Sequence, residues 1–207
     1  IEPKYMVERV IVECCQPSSR TYFSSYFEEA IDTFESNCAE NFKGTLRMID
    51  LYNEALGNED QADDILTTIF LQTAYMCDSA WKREITKNKD ILGDVYEELM
   101  GYFASNAGKK GGEYYTPSEM SELVAKLATF EVNNAKAISD PTCGSGSLLI
   151  KVAEYLQNRG GIVGDLYGQE LNSLTHRLAK MNMCLHNVNI DNFHIDCVDT
   201  LSVNDNS

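Results

Sequence analysis

Apolar positions in the first half of the chain recur at helical spacing. Ile91, Leu92, Val95, Tyr96, Leu99, Met100 and Phe103 fall on one face, and Asp90 stands where an N-cap would. Ile65, Leu66, Ile69, Phe70, Thr73 and Met76 line one side of a second expected helix over 62–81, and 28–42 also reads as helix. Residues 5–15, with Val7, Val10, Ile11 and Val12, fit helix and strand equally well. Gly108-Lys109-Lys110-Gly111-Gly112 breaks the rhythm and predicts a boundary between a helical domain over 1–107 and a second domain over 108–207. Beyond it the pattern alternates. Helices are expected at 114–130, 146–156 and 174–186, and strands at 135–140, 165–170 and 193–198. Strands alternating with helices imply an α/β fold with a parallel sheet. Three strands make an incomplete sheet, so the chain is expected to stop in mid-fold at Ser207.

Composition narrows the setting. With 207 residues there is room for one medium domain or two small ones, and 43% hydrophobic and 24% charged residues suit a soluble globular protein. No apolar run approaches the roughly 18–20 residues that span a bilayer. Ile1-Glu2-Pro3-Lys4-Tyr5 lacks the regions of a signal peptide. Seven cysteines without a framework spacing, two of them adjacent at Cys14 and Cys15, suit reduced thiols. The expectation is a cytoplasmic protein with no membrane contact. The net charge of −15 opposes a polyanion, so if DNA is the substrate, a more basic partner or another part of the protein must hold it.

The densest chemistry is Asp140-Pro141-Thr142-Cys143-Gly144-Ser145-Gly146-Ser147-Leu148-Leu149, between an expected strand and an expected helix. Gly144 and Gly146 allow a sharp turn and close approach to a ligand. The helix start offers free N–H groups and a positive dipole end to a carboxylate or phosphate. Asp140 could pair with an ammonium group. A ligand carrying both an amine and a carboxylate, such as the methionine part of S-adenosyl-L-methionine, satisfies both ends. The bland alternative is an ordinary strand-to-helix turn. A dinucleotide fingerprint would need glycine at Leu149, which disfavours a nucleotide-binding oxidoreductase. Glu170 ends the next expected strand 24 positions after Gly146, where an acid commonly accepts hydrogen bonds from ribose hydroxyls; it could instead cap the helix ahead of Asn172. In Glu113-Tyr114-Tyr115-Thr116-Pro117-Ser118-Glu119, Thr116 reads as N-cap, Pro117 as first helical residue and Glu119 as the partner of a capping box. Thr116 and nearby amides could face the same carboxylate, with Tyr114 or Tyr115 as a wall.

Gly-Glu-Tyr-Tyr-Thr-Pro, Asp-Pro-Thr-Cys-Gly-Ser-Gly-Ser-Leu-Leu, Tyr167-Gly168-Gln169-Glu170 and Val198-Asp199-Thr200-Leu201 follow in that order. The set resembles the N6-adenine DNA methyltransferases. The run from Asp90 to Tyr96, continued through Phe103-Ala104 and the Gly108–Glu113 segment, is similar to the modification subunits of type I restriction–modification systems. The resemblance covers about 90–201; the earlier residues fit loosely as those subunits' helical N-terminal domain. It implies a partial class I S-adenosylmethionine-dependent methyltransferase domain with a Rossmann-like sheet. It also implies that Glu113–Ser118 and Asp140, Gly144, Ser145, Gly146 and Ser147 hold the methionine part, Glu170 the ribose, and that Asp199 lies near the adenine ring. Val198 stands where that family usually has glycine. Partners implied are a specificity subunit, which reads the DNA, and a restriction subunit.

The family's Asn-Pro-Pro-aromatic motif, which receives a flipped adenine, occurs nowhere in the 207 residues. The expectation is a cofactor-binding chain inactive by itself, with a non-catalytic helical interaction module as the alternative. Cys184, His186, His194 and Cys197 have a spacing that could suggest zinc, but the two pairs fall on different elements and packing is favoured. Cys143 is read as a small loop-filling residue rather than a nucleophile.

Overall fold

The computed structural model describes residues 23–38, 40–47, 61, 63–65, 68, 91–106 and 115–202. The chain divides into two compact units, Ile1–Lys87 and Asn88–Ser207. The division falls before the 91–106 helix rather than after it, so the boundary expected at the 108–112 run lies inside the second unit. That run, Asp90, residues 5–15 and most of the 62–81 stretch lie outside the described residues.

In the first unit, helix α1 spans Phe23–Ser36 and a 3-10 turn spans Glu40–Phe42. The continuous helix expected over 28–42 is therefore interrupted. Ser36 Oγ and Asn37 Nδ2 donate back to the carbonyls of Asp32 and Thr33, the local competition that ends helices at such residues. Phe34 then meets Phe42 edge to face at 6.3 Å.

The second unit runs α2 (Ile91–Asn106), α3 (Ser118–Ala128), β1 (Ala135–Asp140), α4 (Ser147–Asn158), β2 (Val163–Glu170), α5 (Ser173–Leu185) and β3 (Phe193–Cys197). The sheet order is β1-β2-β3 and both pairings are parallel. α4 packs on β1 and β2, α5 on β2 and β3, α3 on α4, and α2 on α5. Period-two alternation places Leu166 and Gly168 of β2 in register with Phe193 and Ile195 of β3, all four buried. Ala125, Val152 and Leu156 form a core cluster against Ile138 and Val163. Tyr167 and His194 alternate to the other face, where their rings stack at 4.9 Å.

Helix α2 forms as expected but buries only part of the expected face. Gly93, Met100 and Ala104 are buried, whereas Leu92, Val95, Leu99 and Phe103 are exposed. Small and polar residues make the seat: Tyr96 donates its hydroxyl to the Leu178 carbonyl at 3.1 Å, and Glu97 lies 3.4 Å from Lys151 Nζ. Among the described residues no helix is long and apolar enough to cross a membrane.

Candidate functional site

Parallel strands end at one edge, and there the glycine loop, Glu170 and Asp199 gather. Asp140, the last residue of β1, is in register with Gly168, and Glu170, the last of β2, with Cys197. The glycine loop leaves β1 and is tied to β2 by the Cys143 amide, which donates to the Gln169 carbonyl at 2.9 Å. Thr200 donates its hydroxyl to the Pro141 carbonyl, drawing the segment after β3 toward the same loop. Glycine loop, Glu170 and Asp199 therefore share the C-terminal edge of the sheet, where ligands bind in open α/β folds.

Within the loop Gly144 has φ +54° and Gly146 φ +79°. Gly146 is the N-cap of α4 in the left-handed region, and no side chain caps that helix. Its carbonyl accepts from Ile150 at 3.2 Å, and its amide donates to the Cys143 carbonyl at 2.8 Å. Ser145 and Ser147 are buried with their hydroxyls 3.1 Å apart. Behind them sits Asn182 of α5, 1% exposed, donating from Nδ2 to the Ser145 carbonyl at 3.0 Å and to Ser147 Oγ at 3.4 Å. Sequence reasoning missed Asn182. Its signal was a polar residue on the buried stripe of Thr175, Ala179 and Met183.

The acids are partly engaged with their own backbone. Asp140 Oδ1 accepts from the Thr142 amide at 2.9 Å, and Asp199 Oδ1 from the Leu201 amide at 2.9 Å. Glu170 Oε1 accepts from the Asn172 amide at 2.7 Å, while Asn172 caps α5 by accepting from Leu174 and Thr175. The helix is thus capped by Asn172, and Glu170 holds the amide of that capping residue with one of its two oxygens.

The tyrosine–threonine–proline segment differs from expectation. α3 begins at Ser118 with Pro117 as N-cap (φ −52°, ψ 141°) and no side-chain cap. Thr116 lies one residue further out, so the capping box does not form. The proline angle that suits a first helical position also suits this extended N-cap, and the helix starts one residue late. Thr116, Pro117 and Ser118 are exposed, and no hydrogen bond among the described residues joins them to the glycine loop. Glu113 and Tyr114 lie outside the described residues. Tyr115 is half-buried against α2, where a Cβ on Gly101 would stand 3.1 Å from its hydroxyl. Burial, with the charges of Glu97, Glu119 and Glu98, raises its phenol above the ordinary range.

Cys143 is buried against Gly168, where an added Cβ would come within 2.8 Å of its sulfur. Burial, then the Asp140 and Glu170 charges, push its thiol up to about 12. At pH 8 that leaves about one thiolate in ten thousand. With iodoacetamide and peptide mass mapping, Cys143 of the folded chain should react at least about tenfold more slowly than exposed Cys197; equal rates would remove the loop-filling role. The zinc-like spacing disperses. His186 turns inward between Glu97 and Glu154, His194 stacks on Tyr167, and Cys197 Sγ faces the Leu171 carbonyl at 3.7 Å.

A groove of about 470 Å³ lies between α3, α4 and β1, an edge strand among the described residues. It meets the loop at Asp140 and Pro141, is lined mainly by apolar residues with Thr129 and Ser139 among them, and is lined by none of Gly144, Gly146, Glu170 and Asp199. The strand-end edge, with its open amides and acids, is the better candidate site.

A helical region followed by a parallel sheet with a glycine turn after β1 and an acid closing β2 defines a Rossmann-like α/β protein. Residues 87–207 match the family model described as N-6 DNA methylase, and the chain belongs to that family. It is 32% identical over 215 residues to the methylase subunit of the type I restriction enzyme MpnII of Mycoplasma pneumoniae, covering 98% of this chain and 38% of that protein. A 112-residue match to the MjaVIII methylase subunit of Methanocaldococcus jannaschii is 44% identical and covers 54% of this chain and 18% of that one. The crystal structure of a type I restriction–modification methyltransferase subunit from Streptococcus thermophilus superposes with a TM-score of 0.78 at 28% identity, over 97% of this chain and 41% of that one. The chain thus spans about two fifths or less of the length of these relatives.

Proposed function

We propose that this chain is part of the modification subunit of a type I restriction–modification system and holds S-adenosyl-L-methionine for methylation of adenine N6 in DNA. The observation that carries the reading is the start of α4. Left-handed Gly146 leaves its first amides without a side-chain cap, at the same sheet edge as Asp140 and Glu170. Uncapped helix amides need an acceptor, and a carboxylate suits the positive end of the helix dipole. The donor set fits the cofactor. The α4 amides take its carboxylate, Asp140 its ammonium group through the oxygen left by Thr142, and Glu170 its ribose hydroxyls. Ser145 and Ser147 shape the loop, Asp199 flanks the adenine ring, and Glu113, Tyr114, Tyr115, Thr116, Pro117 and Ser118 close the methionine end.

When bound, the cofactor supplies an electrophilic methyl group on its sulfonium. The work of this chain's residues is to bind and orient, because an in-line displacement depends on position. A specificity subunit is proposed to bring the DNA and a restriction subunit to complete the assembly, consistent with relatives that are themselves subunits of restriction enzymes. By itself the 207-residue chain, with its net charge of −15 and no Asn-Pro-Pro motif, is proposed neither to bind DNA tightly nor to methylate it.

Calorimetry with S-adenosylmethionine tests the pocket. Binding is expected in the parent chain, and Asp140→Ala should weaken it at least about tenfold, since a charged contact contributes roughly 1.5–3 kcal/mol. Unchanged affinity would remove Asp140 from the site. Transfer of labelled methyl to duplex DNA by the isolated chain at low salt would overturn the proposed division of labour.

A further inference from the structure

A loop carbonyl turned toward a ligand would repel its carboxylate, and in the glycine loop the Cys143 and Ser145 carbonyls are both hydrogen-bonded inward. The Cys143 carbonyl is taken by the Gly146 amide within the loop. The Ser145 carbonyl is taken by Asn182, which reaches it from α5, 37 residues further along the chain. Asn182 is one of the most deeply buried polar side chains of the described residues, and its Oδ1 has no hydrogen-bond partner among them. A buried amide that leaves its acceptor unsatisfied is poorly suited to stability, and leucine has the same branched skeleton without that cost. Its donor, by contrast, is used fully on the loop, with Ser147 Oγ as a second acceptor at 3.4 Å. Met183, the next residue, comes up beneath the turn, where a Cβ on Gly146 would meet its Cε at 2.8 Å. α5 thus supplies a donor to the Ser145–Gly146 peptide and packs Met183 beneath the turn.

We infer that Asn182 is a positioning residue for the cofactor loop: by holding the Ser145 carbonyl inward it keeps the first amides of α4 directed outward at the sheet edge. The inference rests on the reading that this loop takes the carboxylate of S-adenosylmethionine. Asn182 touches no reacting atom and acts through the loop.

Asn182→Leu in the whole chain keeps the side-chain skeleton and removes the donor. Three readouts separate the possibilities. Hydrogen exchange of the ligand-free protein should show Gly146, whose amide is bonded to the Cys143 carbonyl, exchanging about tenfold faster than in the parent, because a fixed loop has become mobile, with Leu166 unchanged. The thermal midpoint should stay close to that of the parent. Calorimetry with S-adenosylmethionine should show affinity reduced about tenfold. Unaltered exchange in the loop would overturn the positioning role, as would a fall in affinity that only tracks a lowered midpoint. Faster loop exchange together with a parent chain that binds no S-adenosylmethionine would uphold the positioning of the loop and overturn the cofactor reading instead.

Discussion

Gly146→Ala is expected to weaken S-adenosylmethionine binding roughly thirtyfold, the equivalent of about 2 kcal/mol, and to lower stability as well. Two effects combine at this position. The backbone sits at φ +79°, where a residue with a Cβ costs about 1 kcal/mol or more. The added methyl would also stand 2.8 Å from Met183 Cε and 3.6 Å from Ala179 Cβ, so either the flexible Met183 tip or the turn above it must shift. A shift of the turn moves the first amides of α4, the groups proposed to hold the ligand. Gly160 provides the matched control. It has φ +81°, but nothing lies within 4 Å of its would-be Cβ. Gly160→Ala should therefore show the conformational cost alone, about 1 kcal/mol in a denaturant titration, with binding unchanged. Equal losses of affinity in both variants would mean that the effect is general destabilisation rather than displacement of the loop.

The difference between those glycines shows where sequence reading succeeds and where it stops. β1 is found at the expected Ala135–Asp140, and both other strands within two residues, because each short apolar run is bounded by clear turn signals. The glycine loop was legible for the same reason: its chemistry is local. Thr116-Pro117 was legible only as a helix start, because proline at φ −52° serves as N-cap or first helical residue equally well. Glu170 could be placed at its strand end, but its bond to the Asn172 amide is a matter of rotamer. Asn182 was not legible, since its partners are 37 and 35 residues away and only the packing of α5 under the loop joins them. The α2 face was misjudged for a related reason. Counting apolar positions picked out Tyr96 and Met100, which do face the core, together with Leu92, Val95, Leu99 and Phe103, which are exposed; it missed Gly93 and Glu97, whose small or polar contacts periodicity does not register.

That polar seat should make the second unit sensitive to the loss of one carboxylate and to acid. Glu97 of α2 lies 3.4 Å from Lys151 Nζ and 3.8 Å from His186 Nε2; Glu154 of α4 lies 3.2 Å from Lys151 Nζ and 3.5 Å from His186 Nδ1. The His186 side chain is 1% exposed, and its ring rests against Gly93. Removing one member of such a group leaves the others desolvated and undercompensated. Glu97→Ala is therefore expected to cost about 2–3 kcal/mol in a urea titration at pH 7, less than for a fully buried pair because the lysine and the glutamates retain some water. The pH dependence has a defined sign. Burial alone would raise the Glu154 carboxyl, but the His186 hydrogen bond and the Lys151 ammonium outweigh it and bring it down from 4.5 to about 2. A carboxylate lowered in the folded state contributes its full stability above about pH 4.5 and loses it as pH falls toward 2. Burial would lower the Lys151 ammonium, but Glu97 and Glu154 raise it on balance, so its share persists through neutral pH and is lost only as pH rises through the raised value. Since Glu154 is about one third exposed, solvent screening reduces its acid-labile share to roughly 1–2 kcal/mol. The many other carboxylates also titrate, so the informative quantity is a difference. Between pH 7 and pH 3 the parent should lose roughly 1 kcal/mol more than Glu154→Gln. Parallel losses in parent and variant would show that this cluster does not couple α2 and α4 to pH.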